Sequence, residues 1–275
     1  MAADKLTLTI LGSGTSTGIP VIGCACPVCT SSDPRDERTR SSALLSFRGQ
    51  NILIDTATDL RQQMLREKIE HIEAVLYTHG HADHLHGIDD LRAFTLREKP
   101  AIPLYGSVAT LNKIRSDFSY IFDPAAEPGY IPKLTTQVID SAFELCGLEV
   151  VPVPLLHGTM EVYGYRVGPL AYLTDCNEIP PSSQQLLADI EYLVIDGLRI
   201  KPHRTHFNLV QAVGVAQKLG ARETWLTHLS HEIEHGKHER ELPPGFALAY
   251  DGLTLEVALP GSARNKQPEE LTHEH

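Results

Sequence analysis

The sequence predicts a mixed α/β fold with a functional site at one edge of a sheet. Short apolar strands alternate with helical segments, and ionisable side chains repeatedly stand just past the end of an apolar strand. Side chains at the ends of neighbouring strands meet at a common edge, where sites are often built. The 275 residues suffice for one large α/β domain or two small ones.

The loop 78–84 is the densest group of these side chains and directly follows an apolar strand. It places three imidazoles and one carboxylate within six residues. Neutral imidazole and carboxylate are common ligands of zinc, manganese and iron. His79 and His81 alternate along an extended segment and can face one point, whereas Asp83 and His84 can turn toward a second. The loop therefore predicts ligands for two neighbouring metal ions, with a solvated histidine-rich turn as the alternative.

The ligand set is extended by three residues, each of which follows a later apolar strand: His157, Asp175 and His228. A single histidine in such a position is often a core residue, but an intact His-x-His-x-Asp-His motif elsewhere favours ligation. Asp175 can bridge two ions because a carboxylate has two oxygens. The predicted ligands are His79, His81 and His157 for one ion and Asp83, His84 and His228 for the other, with Asp175 shared.

The cysteines indicate a second kind of metal site. Five cysteines, an odd number, in a chain whose start lacks a signal-peptide pattern argue against a disulfide framework. Cys24, Cys26 and Cys29 form a Cys-x-Cys-x-x-Cys run whose thiolates can converge on one zinc ion. Zinc would need a fourth ligand, and three buried structural cysteines are the alternative interpretation.

Composition and charge restrict the classes of partner. With 42% hydrophobic and 21% charged residues, the composition is typical of a soluble globular protein. No apolar run approaches the roughly 20 residues that cross a bilayer, and without a signal pattern a cytoplasmic location is expected. The net charge of −11 disfavours nucleic acid as a partner. A small phosphorylated substrate stays compatible because bound metal ions reverse the local field.

Apolar periodicity and turn residues predict the other elements in order. The predicted strands cover residues 6–11, 42–47, 51–54, 74–77, 102–105, 148–153, 163–167, 170–174, 192–195, 223–226 and 253–257, and the predicted helices cover 59–69, 89–96, 107–118 and 209–219. The glycine-rich loop 12–18 lacks the Gly-Lys-Ser/Thr ending of a P-loop. We interpret it as a tight loop in which Ser13 or Thr15 can touch a substrate, or as a plain turn. Residues 123–133 are predicted as a loop and residues 261–275 as a polar tail.

From Leu6 to about Val257 the chain resembles the metallo-β-lactamase superfamily. The matching positions are Asp55, the motif His79-x-His81-x-Asp83-His84, His157, Asp175 and His228. The resemblance implies a four-layer αββα sandwich with a dinuclear metal site at one edge. It also implies a single domain over residues 1–260, with a zinc-binding insertion at about residues 23–30.

Within the superfamily the chain is similar to the PhnP-type phosphodiesterases, cyclic-phosphate hydrolases related to ribonuclease Z. The cysteine cluster and the segment Thr227–His231 carry this similarity. In PhnP-type enzymes the three cysteines share a structural zinc with a histidine that matches His231. His206 matches a histidine proposed to assist proton transfer, whereas His203 has no match. These relatives are dimers, which leaves a homodimer open here.

This resemblance implies a metal-dependent phosphodiesterase acting on a small, cyclic substrate, such as a ribose 1,2-cyclic phosphate or a nucleotide. Two manganese or zinc ions would activate a hydroxide, which Asp83 would orient, and His206 would be the general acid. Two alternatives stay open. One is a thioesterase or lactam hydrolase of the same superfamily, like glyoxalase II. The other is a non-catalytic relative, like the pyrroloquinoline quinone biosynthesis B protein, whose catalytic-metal ligands are incomplete, whereas all are present here.

Overall fold

A computed structural model of the protein describes residues 5–96, 100–125 and 129–259. The strands in these ranges are β1 (Lys5–Gly12), β2 (Ser42–Phe47), β3 (Gln50–Ile54), β4 (Ala74–Leu76), β5 (Ile102–Gly106), β6 (Leu134–Val138), β7 (Phe143–Leu145), β8 (Leu148–His157), β9 (Met160–Val167), β10 (Leu170–Leu173), β11 (Tyr192–Asp196), β12 (Glu223–Thr227), β13 (Phe246–Leu248) and β14 (Thr254–Ala258). The helices are α1 (Leu60–Arg66), α2 (Ala82–Leu85), α3 (Arg92–Thr95), α4 (Val108–Asp117), α5 (Pro181–Leu186), α6 (Leu209–Leu219) and α7 (His235–Glu239).

The strands form two seven-stranded sheets. The first has the order β14-β1-β2-β3-β4-β5-β6, and the second has the order β13-β12-β11-β10-β9-β8-β7. In the first sheet the pairs from β14 to β3 are antiparallel and those from β3 to β6 are parallel. In the second, β7 to β10 are antiparallel and β10 to β13 are parallel. Parallel strands in each sheet therefore end at one common edge.

Three apolar clusters separate four layers. The cluster between the sheets contains side chains of both, including Leu8 and Leu45 of the first sheet and Tyr165 and Val194 of the second. A second cluster lies between the other face of the first sheet and helices α1 and α4. A third lies between the second sheet and α6. The layers follow the order α-β-β-α, which confirms the predicted sandwich.

Helix α6 begins and ends where the sequence predicts. Asn208 caps its start: the side chain accepts a hydrogen bond from the N–H of Gln211 at 2.8 Å, and the Gln211 side chain accepts one from the N–H of Asn208 at 3.0 Å. Such reciprocal caps satisfy two otherwise unpaired donors. Gly220, with φ of 76°, ends the helix in the left-handed conformation.

Other elements differ from the prediction in length or were not predicted. The helix predicted over 59–69 is shorter, and the strand predicted over 148–153 continues to His157. The short elements β6, β7, β13, α2, α5 and α7 were missed. In β6 none of the five side chains is buried, so no apolar alternation marks it. Ser13 is buried and its Oγ donates to Asp251 Oδ1 at 2.8 Å, so its hydroxyl is paired within the fold.

Two predictions extend beyond the described residues. The polar tail 261–275 lies outside them, so the division of the chain at residue 260 stays a prediction. Residues 126–128 of the predicted loop 123–133 lie outside them as well. Of the helices that the structure describes, none is both long and apolar enough to span a membrane.

Candidate metal centre

The predicted ligands, together with Asp55 and Asp196, stand at the ends of neighbouring strands of both sheets. Asp55 follows β3, the loop 78–84 follows β4, His157 ends β8, Asp175 follows β10, Asp196 ends β11 and His228 follows β12. The strands are buried, so the turns that end them carry the first polar side chains at this edge. The fold therefore brings together residues separated by up to about 170 positions in the sequence, as the strand-end pattern predicts.

Three of these residues leave their strands in the left-handed backbone conformation. The φ angles are 61° at Asp55, 53° at Asp175 and 59° at His228. Residues other than glycine rarely adopt this conformation, which costs on the order of 1–3 kcal/mol and concentrates at functional sites. Each of the three is at most 2% exposed. The sharp turn thus stops the strand and keeps the side chain inside the protein.

The ligand atoms form two neighbouring groups, and Asp175 belongs to the second. In the first, His79 Nε2 lies 2.9 Å from His81 Nδ1, and both residues group with His157. In the second, His84 Nε2 lies 3.2 Å from Asp175 Oδ2. Asp175 also groups with His157. Two atoms bound to one ion at about 2.0–2.1 Å are about 2.9 Å apart at a right angle and about 3.4 Å apart at the tetrahedral angle. The observed separations fit shared metal ions.

The second group is completed by Asp83 and His228. His84 Nε2 lies 3.3 Å from Asp83 Oδ2, and His228 Nε2 lies 3.1 Å from Asp175 Oδ1. The two oxygens of Asp175 therefore face different histidines. Both groups have the composition that the sequence predicts for the two ions.

Hydrogen bonds at Nδ1 orient two of the histidines. His84 Nδ1 donates to Asp55 Oδ2 at 2.7 Å, and His157 Nδ1 donates to the carbonyl oxygen of Thr205 at 2.7 Å. The hydrogen at Nδ1 leaves the Nε2 lone pair of each ring directed at the centre. Asp55 is held in turn by the N–H and Oγ1 of Thr78, at 2.8 and 2.7 Å. Metal-binding histidines usually have such a partner.

The unpaired atoms and charges of the centre also fit metal ions. The Nε2 atoms of His84 and His228 are buried and have no hydrogen-bond partner, although carboxylates face them. A lone pair directed at a carboxylate is repulsive unless a proton or a metal cation lies between them. Burial opposes a charge on His84, but Asp175 and Asp83 raise its pKa well above the usual range. Burial lowers the pKa of His79 far below that range. The histidines therefore balance the negative charge of the site's carboxylates only in part, and a metal ion would balance the rest.

His206 lies beside both groups. Its ring centre is 4.5 Å from that of His157 and 4.8 Å from that of His228. Its Nδ1 donates to Asp196 Oδ2 at 2.6 Å, and the same oxygen accepts from the N–H of Cys176 at 2.9 Å. Nε2 of His206 is therefore free to act in the site. The sequence marked Asp196 as a strand end but gave no sign that it orients His206.

The cysteine cluster includes His231, as the resemblance implied. Nδ1 of His231 lies 3.4 Å from Sγ of Cys24 and 3.6 Å from Sγ of both Cys26 and Cys29. Tetrahedral zinc with Zn–S of about 2.3 Å and Zn–N of about 2.0–2.1 Å sets S···N at about 3.6 Å. The N–H of Cys29 lowers the pKa of Cys26 to about 6, whereas burial raises that of Cys29 to about 11. The three cysteines can all be thiolates near neutral pH only if a cation is bound among them.

The segment 227–231 joins the cluster to the centre, because it carries one histidine of each. Leu229 pairs through both its N–H and its carbonyl with the loop 12–18. The carbonyl of Ser230 accepts a hydrogen bond from Arg38 at 3.4 Å. The Arg38 guanidinium is fully buried in an ion pair. Both sites are thus fixed to one rigid stretch of backbone.

The chain belongs to the metallo-β-lactamase superfamily: the family model of the beta-lactamase superfamily domain matches residues 50–229, and the two-sheet sandwich is that of the family. Within it, the chain is PhnP-like, as the sequence predicted. A crystal structure of a new diphosphatase from the PhnP family is 44% identical, with a TM-score of 0.86, over 92% of this chain and 98% of that one. The fold and family are those of metal-dependent hydrolases.

Two curated relatives are also similar to the chain. Coenzyme PQQ synthesis protein B from Methylobacterium radiotolerans is 31% identical over 79% of each chain. An octanoyltransferase from Porphyromonas gingivalis is 40% identical over 89% of this chain and 50% of its own length. The chain therefore spans about half the length of that relative, whose activity belongs to the whole protein.

Proposed function

We propose that the protein is a phosphodiesterase that hydrolyses a small, cyclic phosphodiester, such as a ribose 1,2-cyclic phosphate or a cyclic nucleotide. The main support is the pair of neighbouring ligand groups, linked because Asp175 of the second also groups with His157 of the first, beside a cysteine cluster in a chain 44% identical to a PhnP-family diphosphatase. The proposed ligands are His79, His81 and His157 for one ion, Asp83, His84 and His228 for the other with Asp175 bridging, and Cys24, Cys26, Cys29 and His231 for a structural zinc.

In this mechanism the side chains orient the reactants and move the protons. Two divalent ions, manganese or zinc, would supply anchors for the phosphoryl oxygens and a water of lowered pKa. Asp83 Oδ2 faces Nε2 of His84 and of His228 at 3.3 and 4.0 Å, which leaves Oδ1 to accept a hydrogen bond from the attacking water. His206, held at Nδ1 by Asp196, donates a proton from Nε2 to the leaving oxygen.

His206→Gln is expected to lower kcat by about 10²–10⁴-fold on a cyclic phosphodiester, with little change in KM, because a proton donor is lost. The loss should be much smaller on a 4-nitrophenyl phosphodiester, whose leaving group needs no proton. Steady-state kinetics on both substrates measure the difference. His203→Gln is the control, since its exposed ring lies 5.2 Å from that of His206 and it is assigned no proton transfer. Equal losses on both substrates would contradict the general-acid role.

Asp55→Asn is expected to weaken metal binding by about 10–100-fold, because Asp55 orients a proposed ligand. Asparagine tolerates the left-handed backbone at this position. Its amide, however, can place a donor against Nδ1–H of His84, where the carboxylate now accepts. Titration of the metal-free enzyme with manganese, followed by activity and calorimetry, measures the affinity. Wild-type affinity would show that Asp55 does not set the orientation of His84.

The substrate class is tested by phosphorus NMR on the manganese-supplemented protein. The panel contains a ribose 1,2-cyclic phosphate, a 2′,3′-cyclic nucleotide and a linear dinucleotide. We expect opening of a cyclic phosphate and slow or no cleavage of the dinucleotide. If all three substrates stay intact, the proposal is wrong.

Hydrolysis of a thioester is the second candidate. The observation in its favour is the 40% identity to an octanoyltransferase, a protein whose name refers to acyl chemistry. The cysteine cluster with His231 favours the phosphodiesterase. Release of free thiol from an octanoyl thioester, with no opening of the cyclic phosphates, would favour the thioesterase instead.

A further inference from the structure

A threonine stands directly before a proposed ligand at the carboxyl ends of three strands, β4, β10 and β12. The three are Thr78 before His79, Thr174 before Asp175 and Thr227 before His228. Each of these threonines is at most 1% exposed. A buried hydroxyl that makes no hydrogen bond is costly, whereas a valine of the same shape carries no such cost. A threonine at such a position is therefore expected to have a partner for its hydroxyl.

The hydroxyl of Thr174 has the carboxylate of the next residue as its partner. Thr174 Oγ1 donates to Oδ2 of Asp175 at 2.7 Å. Successive side chains of a strand point to opposite faces, so a threonine in a strand does not reach the side chain that follows it. The left-handed turn at Asp175, with φ of 53°, ends this alternation and brings the two side chains together. The turn and the hydrogen bond thus form one unit.

This hydrogen bond restricts how the carboxylate of Asp175 can rotate. Oδ2 faces Nε2 of His84 at 3.2 Å, and Oδ1 faces Nε2 of His228 at 3.1 Å. A carboxylate oxygen has two lone pairs, so Oδ2 can accept from Thr174 and still bind an ion beside His84. Rotation of the carboxylate would break the bond to Thr174 and turn both oxygens away from the histidines. The hydroxyl therefore favours the orientation in which both oxygens can bind metal.

The other two threonines show that this contact is particular to its strand end. Thr78 Oγ1 donates to Oδ2 of Asp55 at 2.7 Å, so it acts on a carboxylate that already has an orienting role. Thr227 Oγ1 is buried and has no hydrogen-bond partner in the part of the chain that the structure describes. His228, which follows it, has the same left-handed backbone as Asp175. Thr227 is therefore the matched control, because it has the same setting without the contact.

We propose that Thr174 is a positioning residue that holds the carboxylate of Asp175 in its metal-binding orientation. It acts through Asp175 and is assigned no contact with the substrate or the metal ions. The inference rests on the proposed function, since it takes Asp175 as a ligand of both ions. With both ions bound, the hydroxyl keeps the carboxylate between them, so its loss weakens binding of the less tightly held ion.

The test compares a variant that lacks the hydroxyl with one that keeps it. Thr174→Val keeps the shape of the side chain, and Thr174→Ser keeps the hydrogen bond. Metal-free protein is titrated with manganese and followed by calorimetry. We expect Thr174→Val to bind the weaker of the two ions about 10–100-fold less tightly, as is usual when the partner of a metal ligand is lost. Thr174→Ser and Thr227→Val should both stay close to the wild type.

Electron paramagnetic resonance supplies a readout that a merely structural role would not change. Two manganese ions that share a carboxylate are magnetically coupled, and their spectrum differs from that of isolated ions. With two equivalents of manganese, the wild type and Thr174→Ser should give the coupled spectrum, and Thr174→Val should give mainly that of isolated ions. Thr174→Ala, a second variant without the hydroxyl, should behave as Thr174→Val does and replaces it if valine prevents folding.

The outcomes separate the role of Thr174 from damage to the fold and from the proposed function. Wild-type manganese affinity with a coupled spectrum in Thr174→Val would overturn that role. A loss of the same size in Thr227→Val would also overturn it, because the effect would then come from any valine beside a ligand. A wild-type protein that binds two manganese ions but opens no cyclic phosphate would contradict the proposed function alone, since the titration needs no substrate.

Discussion

Replacing Asp175 with alanine is expected to abolish turnover in a protein that stays folded. Asp175 Oδ1 faces His228 at 3.1 Å, Oδ2 faces His84 at 3.2 Å, and the residue also groups with His157. The substitution therefore removes a proposed ligand of both ions at once. We expect kcat/KM to fall roughly 10⁴-fold, which is about 5.4 kcal/mol of transition-state stabilisation. Kinetics on the cyclic phosphate, with metal content from elemental analysis, measures the effect.

The backbone at Asp175 requires its own control, because φ is 53°. Alanine in the left-handed conformation costs roughly 1–2 kcal/mol, whereas asparagine adopts it more readily. Asp175→Asn therefore removes the charge with less effect on the backbone. Asp189, exposed and with φ of 60°, has the same conformation elsewhere. Asp189→Ala should lose stability and keep activity. Activity within tenfold of wild type in both Asp175 variants would contradict the shared-ligand assignment.

The parts of the site that lie close together in sequence were predictable from residue spacing. The loop 78–84 presents its ligands from one turn, so the spacing alone indicates which residues can face one point. The cysteine run is equally local. His231 is at least 202 positions from the cysteines, and only the family resemblance paired them. The strand ends predicted the common edge because parallel strands end together.

The parts that depend on tertiary contacts could not be predicted. Asp196 was visible as a strand end, but its bond to His206 depends on how the loop after β11 returns to the sheet. The left-handed turns at Asp55 and Asp175 have no sequence signal, because glycine is the residue that normally marks them. Gly80 stands between two predicted ligands, and only the fold reveals that Lys113 packs beside it.

Cys26→Ser is expected to release the structural zinc and to lower Tm by about 10 °C. Cys26 is the thiol whose pKa falls to about 6, mainly because the N–H of Cys29 donates to it. A serine hydroxyl does not ionise there, so the cluster loses its most readily formed anionic ligand. Elemental analysis and thermal unfolding measure the result, and a zinc chelator should produce the same fall in the wild-type protein.

Cys146→Ser is the matched control, since Cys146 is also a partly exposed free thiol but stands outside the cluster. It should keep its zinc and its Tm. Cys26→Ser should also bind catalytic metal more weakly, because the segment 227–231 carries a histidine of each site and is anchored at Leu229 and Ser230. A Cys26→Ser protein with full zinc content would show that Cys26 is not needed to hold the zinc. One that loses zinc yet keeps wild-type kcat would show that the cluster stabilises the fold without fixing His228.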